Sequence, residues 1–306
     1  MIIELEVENL FSFKDKVIFD MNSSIVNING PSNSGKTNLL KILNSVSLML
    51  KNNNNYLNTF MYNDKPSSFK IVFLKNNTKY IYGFTINKKQ VSKEYLYYYD
   101  FEEENIIFER VNKSYIFNDK RLKKLSKLVL DNRLFLSYTK DDLNEVYTFL
   151  TSTIGICLDV NSLIEPSFNL YSRDTNNKLK PYVLDFYKKI NVNIIDYNVK
   201  SVMLGKEVGY ITKYKHNLNN NNYIIDYGDE SSSNRIVFAI IPFILKVLKE
   251  EKVLIIDDLD SVLDNRIINE IINMFKNSKG QLIFSTHTNN SFNIKAISLF
   301  NSWFSI

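Results

Sequence analysis

A single cysteine, Cys157, in 306 residues excludes internal disulfides and fits a reducing compartment. Two histidines, His216 and His287, leave too few ligands for a His/Cys zinc cluster. Cys157 lies in the strand-like run Thr153-Ile154-Gly155-Ile156-Cys157-Leu158 and reads as a buried core thiol, a Cys–His nucleophile pair being the alternative. No apolar run approaches the roughly 18–20 residues that cross a bilayer; the longest are broken by Asn, Lys or Asp. The opening Met1-Ile2-Ile3-Glu4-Leu5-Glu6 is acidic where a secretory signal is basic. A soluble, cytoplasmic chain with no membrane contact is therefore expected.

Charge of one sign is also scarce: 38 Lys and Arg face 33 Asp and Glu, a net +5. That balance permits nucleic-acid contact without indicating it, since dedicated binders gather their basic residues on one face. The 19 Tyr and 21 Phe accompany abundant Asn, Ile and Lys, and read as a biased genome rather than as base-stacking platforms. With 44% apolar and 23% charged residues, the chain has the composition of a globular protein with a sizeable core. Its length suits one main domain plus a substantial insertion.

Strand-like segments at 2–7, 17–19 and 24–29 open the chain, and the third runs straight into Gly30. Leu39, Leu40, Leu43, Val46 and Leu50 follow at helical spacing, which predicts a strand–loop–helix unit. A polar run, Asn52 to Asn55, ends it. Residues 71–74, 80–84 and 95–99 are rich in β-branched and aromatic residues and predict strands. Helices are expected over 120–130, 141–150 and, behind Pro181, 180–190, and the Asn219 to Asn222 run is expected to close the middle region. The last part alternates: helix 233–250, buried strand 252–256, helix 265–275, buried strand 281–285. Continuous apolar strands alternating with helices indicate a parallel α/β sheet. Residues 1–50 and 225–306 are expected to share it, with 51–224 as an inserted β-rich and helical region.

Gly30-Pro31-Ser32-Asn33-Ser34-Gly35-Lys36-Thr37 matches G-x-x-x-x-G-K-[ST] at every defined position. Glycines let backbone N–H groups converge on phosphate oxygens, and the following helix contributes its positive end. Lys36, expected to face solvent in the empty loop, can reach the β- and γ-phosphates, and the Thr37 hydroxyl can coordinate Mg²⁺. With only eight glycines in the chain, a chance match is rare. Val253-Leu254-Ile255-Ile256-Asp257-Asp258 is an apolar strand ending in two carboxylates. Beside a P-loop, Asp257 can hold the Mg²⁺ shell and Asp258 can orient or deprotonate the attacking water. The strand at 281–285 leads to His287, placed either to face the γ-phosphate or to cap and pack.

Taken in this order, the elements resemble the ABC-type ATPases of the SMC-like group, and specifically the abortive-infection-type AAA ATP-binding proteins of bacteria. Glu8 to Asp15, Tyr80 to Phe84, Glu94 to Tyr98, Ile107 to Arg110 and Arg133 to Ser137 are similar to segments of that family. The resemblance implies an ABC/SMC-like P-loop fold binding ATP and Mg²⁺ through residues 30–37 and Asn38. It places the signature motif at Glu230 to Arg235, with Ser231, Ser233 and Arg235 facing a nucleotide on a second subunit. It also places the D-loop at Asp260 to Asp264 and the switch histidine at His287. Three departures follow: Ser233 stands where glycine is usual, Asp258 stands where a glutamate is usual, and neither Gln90 nor Gln281 suits the Q-loop. The chain ends soon after His287, which implies that a terminal strand is lacking.

The family likeness implies a homodimer closing head to tail over ATP and a switch in anti-phage defence, and Asp258, one methylene shorter than the usual glutamate, implies slow hydrolysis. The sequence carries no TOPRIM-like acidic cluster and no His-Asn-His arrangement, so a separately encoded effector is expected. A RecF- or SMC-like repair ATPase is the alternative; the absence of sustained heptads in 51–224 weakens the SMC branch, while RecF-like proteins lack such arms and that branch stands. A non-hydrolysing ATP-binding scaffold is the other, suggested by Ser233 and Asp258.

Overall fold

The computed structural model describes residues 1–52, 56–101, 103–276, 278–287 and 292–299. Every residue of the runs Ile25–Asn29, Val253–Ile256 and Gln281–Thr286 is buried, the condition under which strands carry no polar alternation. In chain order the elements are β1 (Ile2–Glu8), β2 (Val17–Asp20), β3 (Ile25–Asn29), α1 (Lys36–Asn52), β4 (Ser67–Lys75), β5 (Thr78–Asn87), β6 (Gln90–Asp100), β7 (Glu103–Val111) and β8 (Ser114–Phe117). There follow α2 (Leu122–Ser126), α3 (Asn144–Thr148), β9 (Ile154–Cys157), α4 (Ile164–Arg173), α5 (Lys180–Lys189), β10 (Ile194–Leu204), β11 (Glu207–Leu218) and β12 (Asn221–Asp226). The last elements are α6 (Ser232–Lys249), β13 (Val253–Ile256), α7 (Asn265–Phe275), β14 (Gln281–Thr286) and β15 (Lys295–Ser298).

A parallel sheet in the order β15-β3-β14-β13-β9 carries the expected pairing of the P-loop strand with the C-terminal strands. Its two faces feed two cores by the period of two along a strand. Val26, Ile28, Val253, Ile255 and Ile283 pack with α1 and the antiparallel sheet β2-β1-β4-β5-β6-β7-β8. Ile25, Leu254, Ile256, Leu282 and Phe284 pack with α5, α6, α7 and residues of the three-stranded sheet β10-β11-β12. At the start of β14 the buried Gln281 side chain accepts from Ile2 N and donates to the carbonyls of Ile2, Met21 and Ser23. One amide thus joins the parallel and antiparallel sheets.

Several pairings cross the boundaries expected from the sequence. β1 and β2, within residues 1–50, belong to the antiparallel sheet that 67–117 completes. β9, within 51–224, pairs parallel with β13 as an edge of the central sheet. β15, after His287, pairs with β3 at the other edge, although a terminal strand was expected to be lacking. The stretch 120–130 is helical only over α2, where Leu122 alone is buried; with so little apolar face, a longer helix has nothing to pack. The stretch 141–150 is helical over α3 and continues as a wide turn over Phe149–Thr153. Asn219 and Asn220, with φ of 51° and 66°, make the β11–β12 hairpin turn instead of closing a region, as Asn76-Asn77 do between β4 and β5. Such primed turns need positive φ at both positions, which asparagine tolerates. Of the polar run Asn52 to Asn55, residues 53–55 lie outside the described residues.

Candidate nucleotide-binding site

Parallel pairing brings the C-terminal ends of β3, β14 and β13 to one edge of the sheet, the place where open α/β sheets receive ligands. Residues 30–35 turn from β3 into α1, whose first intrahelical bond runs from Leu39 N to Gly35 O at 2.9 Å. Both motif glycines answer to local crowding. A Cβ on Gly30 would lie 2.3 Å from the Leu299 carbonyl oxygen, and Gly35 has φ of +99° and would meet Ser12 Oγ at 2.8 Å. Pro31, Ser32 and Asn33 are exposed, Ser34 and Gly35 are buried, and Thr37 and Asn38 on the first turn of α1 are half-buried.

Lys36 corrects the expectation of a solvent-facing side chain, being only 4% exposed. Its ammonium donates to Gly30 O at 2.7 Å and Pro31 O at 3.0 Å, and lies 3.3 Å from His287 Nδ1. The loop's own carbonyls thus hold the charge. An ammonium has only protons to offer, so His287 Nδ1 accepts, and Nε2, 3.2 Å from Asp258 Oδ1, carries the imidazole proton. The His287 backbone N–H donates to Asp260 Oδ2 at 2.9 Å.

Asp257 is 4% exposed; its N–H donates to Cys157 O at 2.9 Å and its carboxylate accepts from Ser285 Oγ. Asp258 N–H donates to the same Ser285 Oγ at 2.8 Å. Asp258 stands in the left-handed region, φ 47° and ψ 48°, a conformation that costs a non-glycine residue roughly 1–3 kcal/mol and concentrates at functional sites. Lys36, Asp257, Asp258 and His287 are therefore gathered at the loop. Cys157, beside them, has its thiol pushed up to about 11 by burial and donates to Asp159 O at 3.2 Å. It is a neutral core thiol, and neither histidine is its partner.

The residues expected to form the signature motif and the D-loop make a second group. Ser231 caps α6, its Oγ accepting from Asn234 N at 3.2 Å. Ser233 Oγ donates to Val262 O at 3.4 Å, tying α6 to the turn ahead of α7, which Asp264 caps through Ile267 N at 3.0 Å. Arg235 lies over the Tyr227 ring, 5.6 Å to the centroid, and its buried Nε has no partner among the described residues. Glu230 accepts from Ser231 N and Asn234 Nδ2 and pairs with His216 Nε2 at 2.6 Å. Burial alone would push its carboxyl up; the bonds from Asn234, Ser231 and His216 hold it below the usual range. The turn Leu259–Ser261 lies between the two groups: Asp260 holds His287, and Ser261 Oγ donates to Asp258 O at 2.7 Å.

The residues present suit a triphosphate and a hard cation. Around the loop, the buried Ser12 Oγ, Ser34 Oγ and Asn29 Oδ1 have no hydrogen-bond partner among the described residues, which leaves polar capacity there for a bound group. The nearby donors are hydroxyl and carboxylate oxygens, the chemistry of Mg²⁺. Gln281, at the far end of β14 from this edge, and Gln90, at the β5–β6 turn, take no part. Ser285 was not singled out from the sequence, and Asp260 was named only as the start of the stretch expected to be the D-loop. The legible signal for the first was a polar residue near the end of a strand otherwise apolar from Leu282 to Phe284.

The fold is similar to two solved structures. One is an SmcHead bound to the C-winged helix domain of ScpA, with TM-score 0.54, 12% identity, and 97% of this chain and 93% of that one covered. The other is the SMC head domain from Thermotoga maritima, with TM-score 0.50, 14% identity, and 94% and 89% covered. The chain accordingly has the ABC/SMC-like P-loop fold. No curated protein matches the sequence. Residues 28–292, spanning the loop, both carboxylates and His287, match the family described as "AAA domain, putative AbiEii toxin, Type IV TA system", and the chain belongs to that family of SMC-like AAA ATPases.

Proposed function

We propose that the chain binds ATP with Mg²⁺ at residues 30–37 and hydrolyses it slowly, acting as a nucleotide-driven switch in bacterial anti-phage defence. The observation that carries this reading is the gathering of Lys36, Asp257, Asp258 and His287 at one sheet edge. Thr37 and Asp257 would hold the cation, and the loop N–H groups with Lys36 the phosphates. Asp258 would hold or deprotonate the attacking water, with His287 fixing its carboxylate. Bound Mg²⁺ supplies charge neutralisation at the β- and γ-oxygens.

Two copies would close head to tail, the capped end of α6 with Ser231, Ser233 and Arg235 completing the partner's nucleotide site, Asp264 beside it. A helix N-terminus carrying three serines suits an anion. The family's toxin–antitoxin description supports a self-limiting defence role, with the effector encoded separately. Among the described residues no helix is long and apolar enough to cross a membrane. Light scattering on Asp258→Asn protein tests the closure: Mg-ATP should shift it towards dimer, and Ser231→Arg should block the shift while keeping ATP binding. A mass unchanged by nucleotide counts against it. Phage plating of cells carrying the protein with its genomic neighbours tests the biology, Lys36→Ala being expected to cancel protection. No protection across a broad panel, with sensitivity to DNA damage on deletion, would favour the repair alternative.

A further inference from the structure

We infer that Ser285 is the positioning residue that sets the two carboxylates of β13 for metal binding and water activation. The inference deepens the nucleotide reading above and rests on it. Ser285 is fully buried on the central strand between β3 and β13. Ile256 pairs with Phe284, so the next residues along, Asp257 and Ser285, stand level. Both share the strand face of Ile255 and Ile283, which is the face covered by α1.

A serine hydroxyl has one proton and two acceptor positions. Here the proton goes to Asp257 Oδ1, and the Asp258 N–H, at 2.8 Å, takes one of the acceptor positions. With Oδ1 occupied, the other Asp257 oxygen is the one left for a cation or its water shell. The bond to Asp258 N–H fixes the backbone at the residue whose φ is 47°, and Ser261 Oγ holds its carbonyl from the other side. One hydroxyl therefore sets the direction of the first carboxylate and the backbone orientation of the second. A hydroxyl needing only a buried partner has a simpler solution one residue on, where Thr286 Oγ1 donates to Asn27 Oδ1 at 3.1 Å. Ser285 instead bridges two acidic residues and orients groups it does not replace, so it acts through them.

The test measures ATP affinity with and without Mg²⁺, and turnover across a Mg²⁺ titration, for wild type, Ser285→Ala, Ser285→Cys and Ser285→Thr. Alanine and cysteine should lower kcat about tenfold and raise the Mg²⁺ needed for half-maximal activity several-fold, as loss of a charge-assisted hydrogen bond does. Metal-free ATP affinity should stay within about twofold, because the phosphate contacts of the loop are untouched. Threonine, which keeps the hydroxyl, should recover most of the loss. The cysteine variant nearly conserves volume with a much weaker donor, and carries the test if alanine does not fold. A folded alanine or cysteine variant with wild-type kcat and Mg²⁺ dependence would overturn the role. So would losses that lower metal-free affinity and turnover together without moving the Mg²⁺ dependence, the pattern of a purely structural residue. Wild-type protein that binds no ATP would sink the nucleotide reading itself, a result distinct from either.

Discussion

Replacing Lys36 tests the site from two directions, because its ammonium has two alternative sets of partners. Within the loop it donates to Gly30 O at 2.7 Å and Pro31 O at 3.0 Å, with the side chain almost wholly buried. Hydrogen bonds to a charged group contribute roughly 1.5–3 kcal/mol each, and the lysine's own desolvation offsets part of that. Lys36→Ala is expected to destabilise the free protein by about 1–3 kcal/mol, a few degrees in melting temperature. Binding a triphosphate exchanges those carbonyl bonds for bonds to phosphate oxygens, so only the difference shows in affinity. A net loss of about 2–3 kcal/mol, or roughly 30- to 150-fold in Kd, is expected. Lys36→Met keeps the apolar stem and separates lost packing from lost charge. Calorimetry with Mg-ATP and thermal melts of the three proteins read both effects. Unchanged Kd in a folded variant would remove the loop as the phosphate site, and unchanged melting in both variants would refute the inward ammonium.

Asp258→Asn should abolish ATP turnover while sparing ATP binding, and Asp258→Glu should hold or raise the rate; hydrolysis by Asp258→Asn at the wild-type rate takes this residue out of the chemistry. Glu94 offers a pH test remote from the site. Its fully buried carboxyl is pushed up to about 6 by burial, despite bonds from Phe135 N–H, Leu136 N–H and Tyr82 and the nearby Arg110. A carboxyl raised from 4.5 in the unfolded chain to about 6 in the fold favours folding while protonated, so its contribution is full below 4.5 and is lost as pH rises through about 6. The unfolding free energy of wild type relative to Glu94→Gln should fall by about 2 kcal/mol across that window in urea titrations. A flat difference would mean that Glu94 titrates alike in both states.

Where signals were local, the sequence was legible. The P-loop unit, β13, α7 and β14 each combine an apolar run with its own start and stop, and Gly35 answers to a local backbone constraint, its φ of +99°. β9 was not legible as a sheet member because four residues, Ile154–Cys157, pair in parallel with β13 nearly a hundred positions away; nothing short-range encodes such a pairing. The β10–β12 sheet was missed because Asn219-Asn220 read as a break, although two asparagines between β-branched and aromatic stretches also spell a hairpin. Lys36 illustrates the third kind of miss. Its chemistry was plain from the motif, but its burial depends on carbonyls that come into reach only once the loop is closed, and on His287 from the far end of the chain.

Gln281 gives β14 an anchored end and a working end. Its amide holds the backbone of Ile2, Met21 and Ser23 at the start of the strand, while Ser285 and His287 lie at the other end, a strand of six residues away, or roughly 20 Å. A rotation of the antiparallel sheet against the parallel one about this bonded end would take Gln281 as its hinge. Displacement then grows along the strand with distance from the hinge, and the largest excursion for a given rotation falls beside Lys36. Gln281 and the Lys36 loop thus stand at opposite ends of one strand, an anchor at its start and the candidate site at its finish.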